Sequence, residues 1–200
     1  MRIMGKFAAL VASVALVSAS AVAVSAPAQA AKAKGAITIT LDSDLAYIVT
    51  GQHWVGVKPA RVGIEPAGTP FPGPTVRFPV SFEDGTFKVR GKGALALGPG
   101  SILARMPLVG ATPEQLAKSQ ARVDFLVGNG SMPMTPFVVK NFEKVGTDTD
   151  GFTLWMGDLH ATRDKKTLRD FNSFSGLSGG KALKPGQSLG ILRLEIKSLI

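Results

Sequence analysis

The sequence predicts an all-β or β-rich α+β fold, an antiparallel β-sandwich or partly closed barrel with one or two short helices. Three observations predict it. Apolar and polar residues alternate with period two in many segments, which puts one strand face on a core and the other in water. The 23 Gly and 13 Pro interrupt the 200 residues too often for long helices. Nowhere does a strand pattern alternate with the crossover helices that a parallel sheet requires.

Taken in order, Ile37, Ile39 and Leu41 alternate with Thr38 and Thr40 in the first strand. Residues 43–50 read as a helical turn or two stopped at Gly51, whose missing Cβ suits a left-handed cap. A strand is expected at 54–58. The stretch 59–74 holds Pro59, Pro66, Pro70, Pro72 and Pro74 with three glycines and reads as a loop. Val76, Phe78 and Val80 then alternate with Arg77 and Pro79, and because Pro79 has no N–H to give to a ladder, an edge strand is predicted. Strands at 86–90, Ala94–Leu97 and 102–109 follow, separated by Asp84-Gly85 and Pro99-Gly100 turns. Thr112-Pro113-Glu114-Gln115 supplies an N-cap, a proline at the first helical position and a capping-box glutamine, predicting a helix to about Gln120. Strands at 123–127, 137–142 and 152–156 are divided by Asn129-Gly130 and Asp150-Gly151. Leu192, Leu194 and Ile196 alternate with Arg193, Glu195 and Lys197 in the last strand.

Apolar residues make up 45% and charged residues 18%, too apolar a balance for a disordered chain. With no cysteine, a disulfide framework, thiolate metal cluster, cysteine nucleophile or lipidated leader is excluded. Arg2 and Lys6 precede an uncharged apolar run over 7–24, and Ala28-Gln29-Ala30 has the small-x-small pattern of a cleavage site. A signal peptide removed near Ala30 is therefore expected, in preference to a retained anchor, leaving one β-rich domain over 31–200. Residues 1–30 carry two basic and no acidic groups, so 21 basic against 14 acidic residues leave +7 on the remainder. No other stretch approaches the ~20 apolar residues of a membrane span. A secreted or envelope-associated, cysteine-free product suits a bacterium, where small exported domains do without disulfides. The oligomeric state is left open.

The segments ITITLDSDLAYIVTG at 37–51, FPVSFEDGTF at 78–87, GKGALALG at 91–98 and LRDFNSFSGLSGGKALKPGQSLGILRLEIK at 168–197 resemble a group of exported actinobacterial β-rich proteins of uncharacterised function. The resemblance implies a single β domain behind a signal peptide and brings no catalytic motif. A weaker similarity, through Tyr47 in AYIVTG, is to HtaA-type haem-uptake domains, and it implies a tyrosine haem ligand at Tyr47.

Several strings touch known motifs without their context. Gly176-Leu177-Ser178-Gly179-Gly180 fits G-x-S-x-G, yet both histidines, His53 and His160, lie upstream and no long apolar strand leads into Ser178, so a glycine-rich loop is expected. Gly91-Lys92-Gly93-Ala94-Leu95-Ala96 matches a loose dinucleotide pattern, but the alternation after it argues a hairpin. Residues 176–181 miss the P-loop spacing by one. Asp148-Thr149-Asp150-Gly151 lacks the remaining ligands of a calcium loop and reads as a turn. Asp158 with Asp164, and Glu83 with Asp84, are the acid pairs from which a glycosidase would be built, and ordinary turn positions explain them. No metal or catalytic residue is assigned.

Charge placement is the most suggestive feature. Lys88, Arg90 and Lys92 alternate with Phe87, Val89 and Gly91, putting three cations on one strand face. Arg163, Lys165, Lys166 and Arg169 form a second cluster, read as a charged loop diluted by Asp164 and Asp170. The expected function is a non-enzymatic binding or structural domain of the envelope that contacts anionic cell-wall polymer or lipid headgroups through Lys88, Arg90 and Lys92. Nucleic acid is not expected, because no strand interleaves aromatics for base stacking. The alternative is haem or another apolar ligand inside the β-fold, with Tyr47, His53 and His160 as ligands. A hydrolase ranks third.

Overall fold

A computed structural model of the chain describes residues 31–69, 71–84, 87–98, 102–128 and 132–199. The expected signal segment lies outside the described residues, as do the turn residues Gly85, Pro99, Gly100, Asn129 and Gly130. In chain order the strands are β1 (Ala31–Leu41), β2 (Trp54–Val57), β3 (Arg61–Glu65), β4 (Gly73–Asp84), β5 (Lys88–Gly91), β6 (Ala94–Leu97), β7 (Ile102–Gly110), β8 (Ala121–Val127), β9 (Met132–Thr147), β10 (Thr153–Ala161) and β11 (Ser188–Leu199). Among the described residues three α-helices accompany them: α1 (Tyr47–Thr50), α2 (Pro113–Ala117) and α3 (Lys165–Phe174).

All pairings between these strands are antiparallel. Around a closed ring, β1 pairs with β4, β4 with β5, β5 with β7, β7 with β8, β8 with β9, β9 with β10, β10 with β11, and β11 with β1 again. The sheet thus closes into an eight-stranded antiparallel barrel, β-rich as expected but fully rather than partly closed. β6 pairs with β7 and carries β2 on its other side, and β3 pairs with β4, so the three short strands widen one end of the barrel.

The inward positions of the period-two pattern are buried: Ile37 and Ile39 on β1, Phe78 on β4, Val123 and Phe125 on β8, Phe137 and Val139 on β9, Leu192 and Leu194 on β11. An eight-stranded barrel is just wide enough to be filled by such side chains. Aromatic rings run through it in contact: Phe78 lies 6.2 Å from Phe125 and Phe125 6.1 Å from Phe137. At the wide end Phe137 meets Phe171 of α3 at 5.2 Å and Trp54 of β2 at 5.8 Å, closing the barrel from above. At the other end Phe87, Phe142 and Trp155 form a second cluster, with Phe142 stacked on Trp155 at 5.4 Å. Two glycines keep the wall close to this filling. A Cβ on Gly91 would sit 2.8 Å from Pro107 Cγ and 3.0 Å from Phe78 Cβ, and one on Gly157 would sit 2.6 Å from Val139 Cγ1.

The capping box of α2 forms as expected: Thr112 Oγ1 accepts from the Gln115 N–H at 3.2 Å, and the Thr112 N–H donates to Gln115 Oε1 at 2.9 Å. This helix ends at Ala117, one turn early, where Lys118 takes the C-cap. Residues 43–50 make a 3₁₀ turn followed by α1, also as expected. Gly51 is not left-handed, however, with φ −79. Its need is for space, since a Cβ there would lie 2.5 Å from the Tyr47 carbonyl oxygen.

Four further expectations are corrected. β4 is not an edge strand, because β1 flanks it on one side while β3 and then β5 flank it on the other. Pro79 fits because its carbonyl accepts from the Lys92 N–H at the junction where β3 has ended and β5 has not begun, so no ladder bond is lost. The loop at 59–74 contains β3, whose Arg61 to Glu65 pair with Arg77 to Gly73. Gly91-Lys92-Gly93 is not a hairpin: β5 and β6 both run antiparallel to β7, so they are one strand kinked at these glycines. Finally, residues 165–174 are helical, with Leu168 and Phe171 buried and Asp164 as N-cap.

Removing the ring at the centre of this column tests the packing. Phe137→Ala is expected to cost about 3–5 kcal/mol of unfolding free energy by urea denaturation. A loss below about 1 kcal/mol would mean that the rings are not packed as described.

Candidate functional site

Because side chains fill the barrel interior, candidate contacts lie on its outer wall and around its wide end. Val89 is fully buried, so its neighbours Lys88 and Arg90 both face outward from β5. In register, Lys88 stands opposite Asp84 on β4 and Gly110 on β7, and Arg90 opposite Phe82 and Leu108. Lys92 has left the strand: it sits in the kink, exposed, its N–H bonded to the Pro79 carbonyl at 2.7 Å. The three cations therefore follow one another along the wall, with only the first two on the strand face that alternation predicts. The same wall carries Arg122 on β8, which pairs with Asp124 at 3.0 Å.

Tyr47 and His53 are brought together, their ring centroids 6.4 Å apart in an edge-on arrangement. α1 carries Tyr47, and the close turn at Gly51 brings His53 back beside it. Both polar ends are engaged with backbone. The Tyr47 hydroxyl donates to the Lys181 carbonyl at 2.7 Å, and His53 Nδ1 lies 3.1 Å from the Ser175 carbonyl. Beneath them the Trp54 indole N–H donates to Ser175 Oγ at 3.1 Å, fastening β2 to the end of α3. Burial first, and the nearby Asp44 carboxylate second, raise the Tyr47 pKa above the ordinary phenol value. His160 is not part of this arrangement. It lies on β10 with Nδ1 3.4 Å from the Gly186 carbonyl, in a depression of about 410 Å³ shared with Lys140 and Arg163.

The remaining strings take their ordinary forms. Ser178 is exposed in the loop before a single 3₁₀ turn at Gly179–Lys181, with no strand leading into it. Asp148 Oδ1 accepts from the N–H groups of Asp150 and Phe152, an Asx turn at the β9–β10 corner. Asp158 accepts from Asn141 Nδ2, while Asp164 accepts from the Thr167 N–H at 2.6 Å, so the two carboxylates serve different elements. No group of three or more metal-ligating side chains occurs among the described residues.

Sequence reasoning missed a set of outward arginines. Arg61 on β3 stands opposite Arg77 on β4, Arg77 opposite Thr38 on β1, and Thr38 opposite Arg193 on β11. No linear signal links these positions, since only the register of four strands brings them into one row.

No family model matches the chain, and neither the curated proteins nor the solved structures include a significant match.

The Asp164 carboxylate caps the N-terminus of α3. The hydrogen bonds from Thr167 hold its carboxyl below the ordinary carboxylate range, with the Lys166 charge adding to the effect. A lowered folded-state pKa means that the cap stabilises α3 above the ordinary carboxylate pKa and loses this effect as pH falls through the lowered value. Asp164→Asn keeps an acceptor but does not titrate, so its melting temperature should fall less on the acid side than that of the parent. Superimposable pH profiles would contradict this role.

Proposed function

We propose that the protein is a non-enzymatic, exported binding or structural domain of the bacterial envelope that engages anionic cell-wall polymer or lipid headgroups through Lys88, Arg90 and Lys92. The supporting observation is the succession of these three cations along the outer wall of a barrel whose interior is occupied. Low-dielectric walls around clustered like charges raise the local concentration of an anionic partner. The positive excess of the chain and its signal-like first thirty residues agree with such a setting.

A second reading, haem or another apolar ligand, draws its support from the contact between Tyr47 and His53. Against it stand the backbone hydrogen bonds that both rings already make and the raised Tyr47 pKa, since a tyrosine ligates ferric haem as the phenolate. The separation of His160 from the pair also weakens a three-ligand site.

Each reading has its own test on the protein lacking residues 1–30. With each basic residue contributing about 1 kcal/mol near an anionic surface, replacing Lys88, Arg90 and Lys92 by Glu should weaken binding to phosphatidylglycerol vesicles or washed cell walls by about a hundredfold or more at low salt. Parent binding should fall steeply as salt rises. Unchanged retention of the folded variant would sink the proposal. Added haemin should give no Soret shift that depends on Tyr47, and a band abolished by Tyr47→Phe would instead establish the second reading.

A further inference from the structure

The outward row of arginines has an electrostatic problem that the fold alone does not resolve. Arg61 and Arg77 stand directly opposite each other on paired strands, with side chains on the same face. Like charges in this position destabilise a sheet. Arg193 continues the row two strands further on, roughly 10 Å from Arg77 at the ordinary strand spacing. The buried positions between and beside them, Val76, Phe78, Ile37, Ile39, Leu192 and Leu194, all point into the barrel, so the row itself faces out.

Among the described residues, Glu195 is the one carboxylate in contact with it. Its oxygens lie 3.8 Å from Arg77 Nη2 and accept from Arg193 Nη2. Glu65 shares the face of Arg61 but is four residues along β3, about 13 Å away at the strand rise. Arg61 has no acidic partner among the described residues. The Arg193 guanidinium carbon lies 5.2 Å from the centre of the Phe71 ring. Its Nε is nevertheless buried without an acceptor among the described residues. Around Arg61 and Arg77 the surface dips into a depression of about 560 Å³, lined also by Gly63, Thr75 and Pro79 and, further along β3, by Glu65.

Excess guanidinium charge beside a shaped recess points to a missing group of opposite charge, a tetrahedral oxyanion. The planar fork of arginine matches phosphate oxygens two at a time, which a lysine does not do. We propose that Arg61, Arg77 and Arg193 form a binding row for phosphate groups carried on an extended chain, Arg61 and Arg77 clamping one phosphate and Arg193 meeting another further along. One isolated phosphate would use only part of the row, whereas a chain crossing the four strands would use all of it. The row stands independently of the Lys88 face, which lies further along β4, beyond Pro79.

The test uses inorganic polyphosphate and orthophosphate as probes, with titration calorimetry and thermal melting as readouts. Polyphosphate should bind saturably and raise the melting temperature, and orthophosphate should bind at least about tenfold more weakly per phosphate. The double variant Arg61→Gln, Arg77→Gln should lose at least about tenfold in polyphosphate affinity. Its melting temperature without ligand should equal or exceed that of the parent, because opposed like charges have been removed. The Lys88, Arg90 and Lys92 to Glu variant reports on the other face and should still respond to Arg61→Gln, Arg77→Gln. Retained polyphosphate affinity in the double variant, a lowered melting temperature without ligand, or equal binding of orthophosphate and polyphosphate per phosphate would each overturn the row. None of these outcomes bears on vesicle or wall retention through Lys88, Arg90 and Lys92.

Discussion

The structure depends on one constraint: an eight-stranded antiparallel ring leaves an interior that must be filled with side chains or with a ligand. Here it is filled by rings in series, Phe78, Phe125 and Phe137, with Trp54 and Phe171 completing the stack at the wide end. Offset and edge-on contacts of this kind add to area burial and fix the rings relative to one another. α3 and β2 are held in place by the same contacts, since Phe171 and Trp54 are their anchors. Whatever the protein binds therefore meets strand surfaces and loops, and the outer wall becomes the place where chemistry is read.

That outer wall owes its shape to a division of labour along β4. Its first half is partnered by β3 and its second by β5, with Pro79 at the changeover. The kink at Gly91-Lys92-Gly93 lets one strand serve two partners, β4 through β5 and β2 through β6. These irregularities separate the arginines of β3 and β4 from the cations of β5. The outward positions of the central strands, Arg77, Arg193, Glu195, Asp158 and Lys140, are polar or charged while the inward ones are apolar. This is the reverse of a lipid-facing barrel, whose outside is the apolar side.

Much of the fold could be read from local patterns. Period two located the strands that line the barrel because their inward faces are buried and their outward faces wet, and the Thr112 capping box is a purely local device. β3 was hidden because its outer residues are mostly exposed, so RVGIE shows no buried alternation among the surrounding prolines. α3 was hidden because its basic first turn resembled a loop, although Asp164 followed by Leu168 and Phe171 at helical spacing was the signal for it. Closure was beyond local reading, since it rests on pairing between the first strand and the last. Of the candidate residues, Lys88 and Arg90 followed from alternation, Tyr47 and His53 from proximity in sequence, and the Arg61, Arg77 and Arg193 row from nothing in one dimension.

The pairing of β1 with β11 also governs when the barrel can form. Lys32 is in register with Leu199, so the ring stays open until the final strand has arrived, and the contacts that close it span nearly the whole chain. Long-range closures of this kind slow folding, because loop entropy is spent before the pairing rewards it. The incomplete chain holds β1 with one of its two neighbours missing and its apolar residues unshielded. Commitment to the folded state is thereby deferred until β11 has found β1, so the barrel forms as one cooperative closure rather than strand by strand.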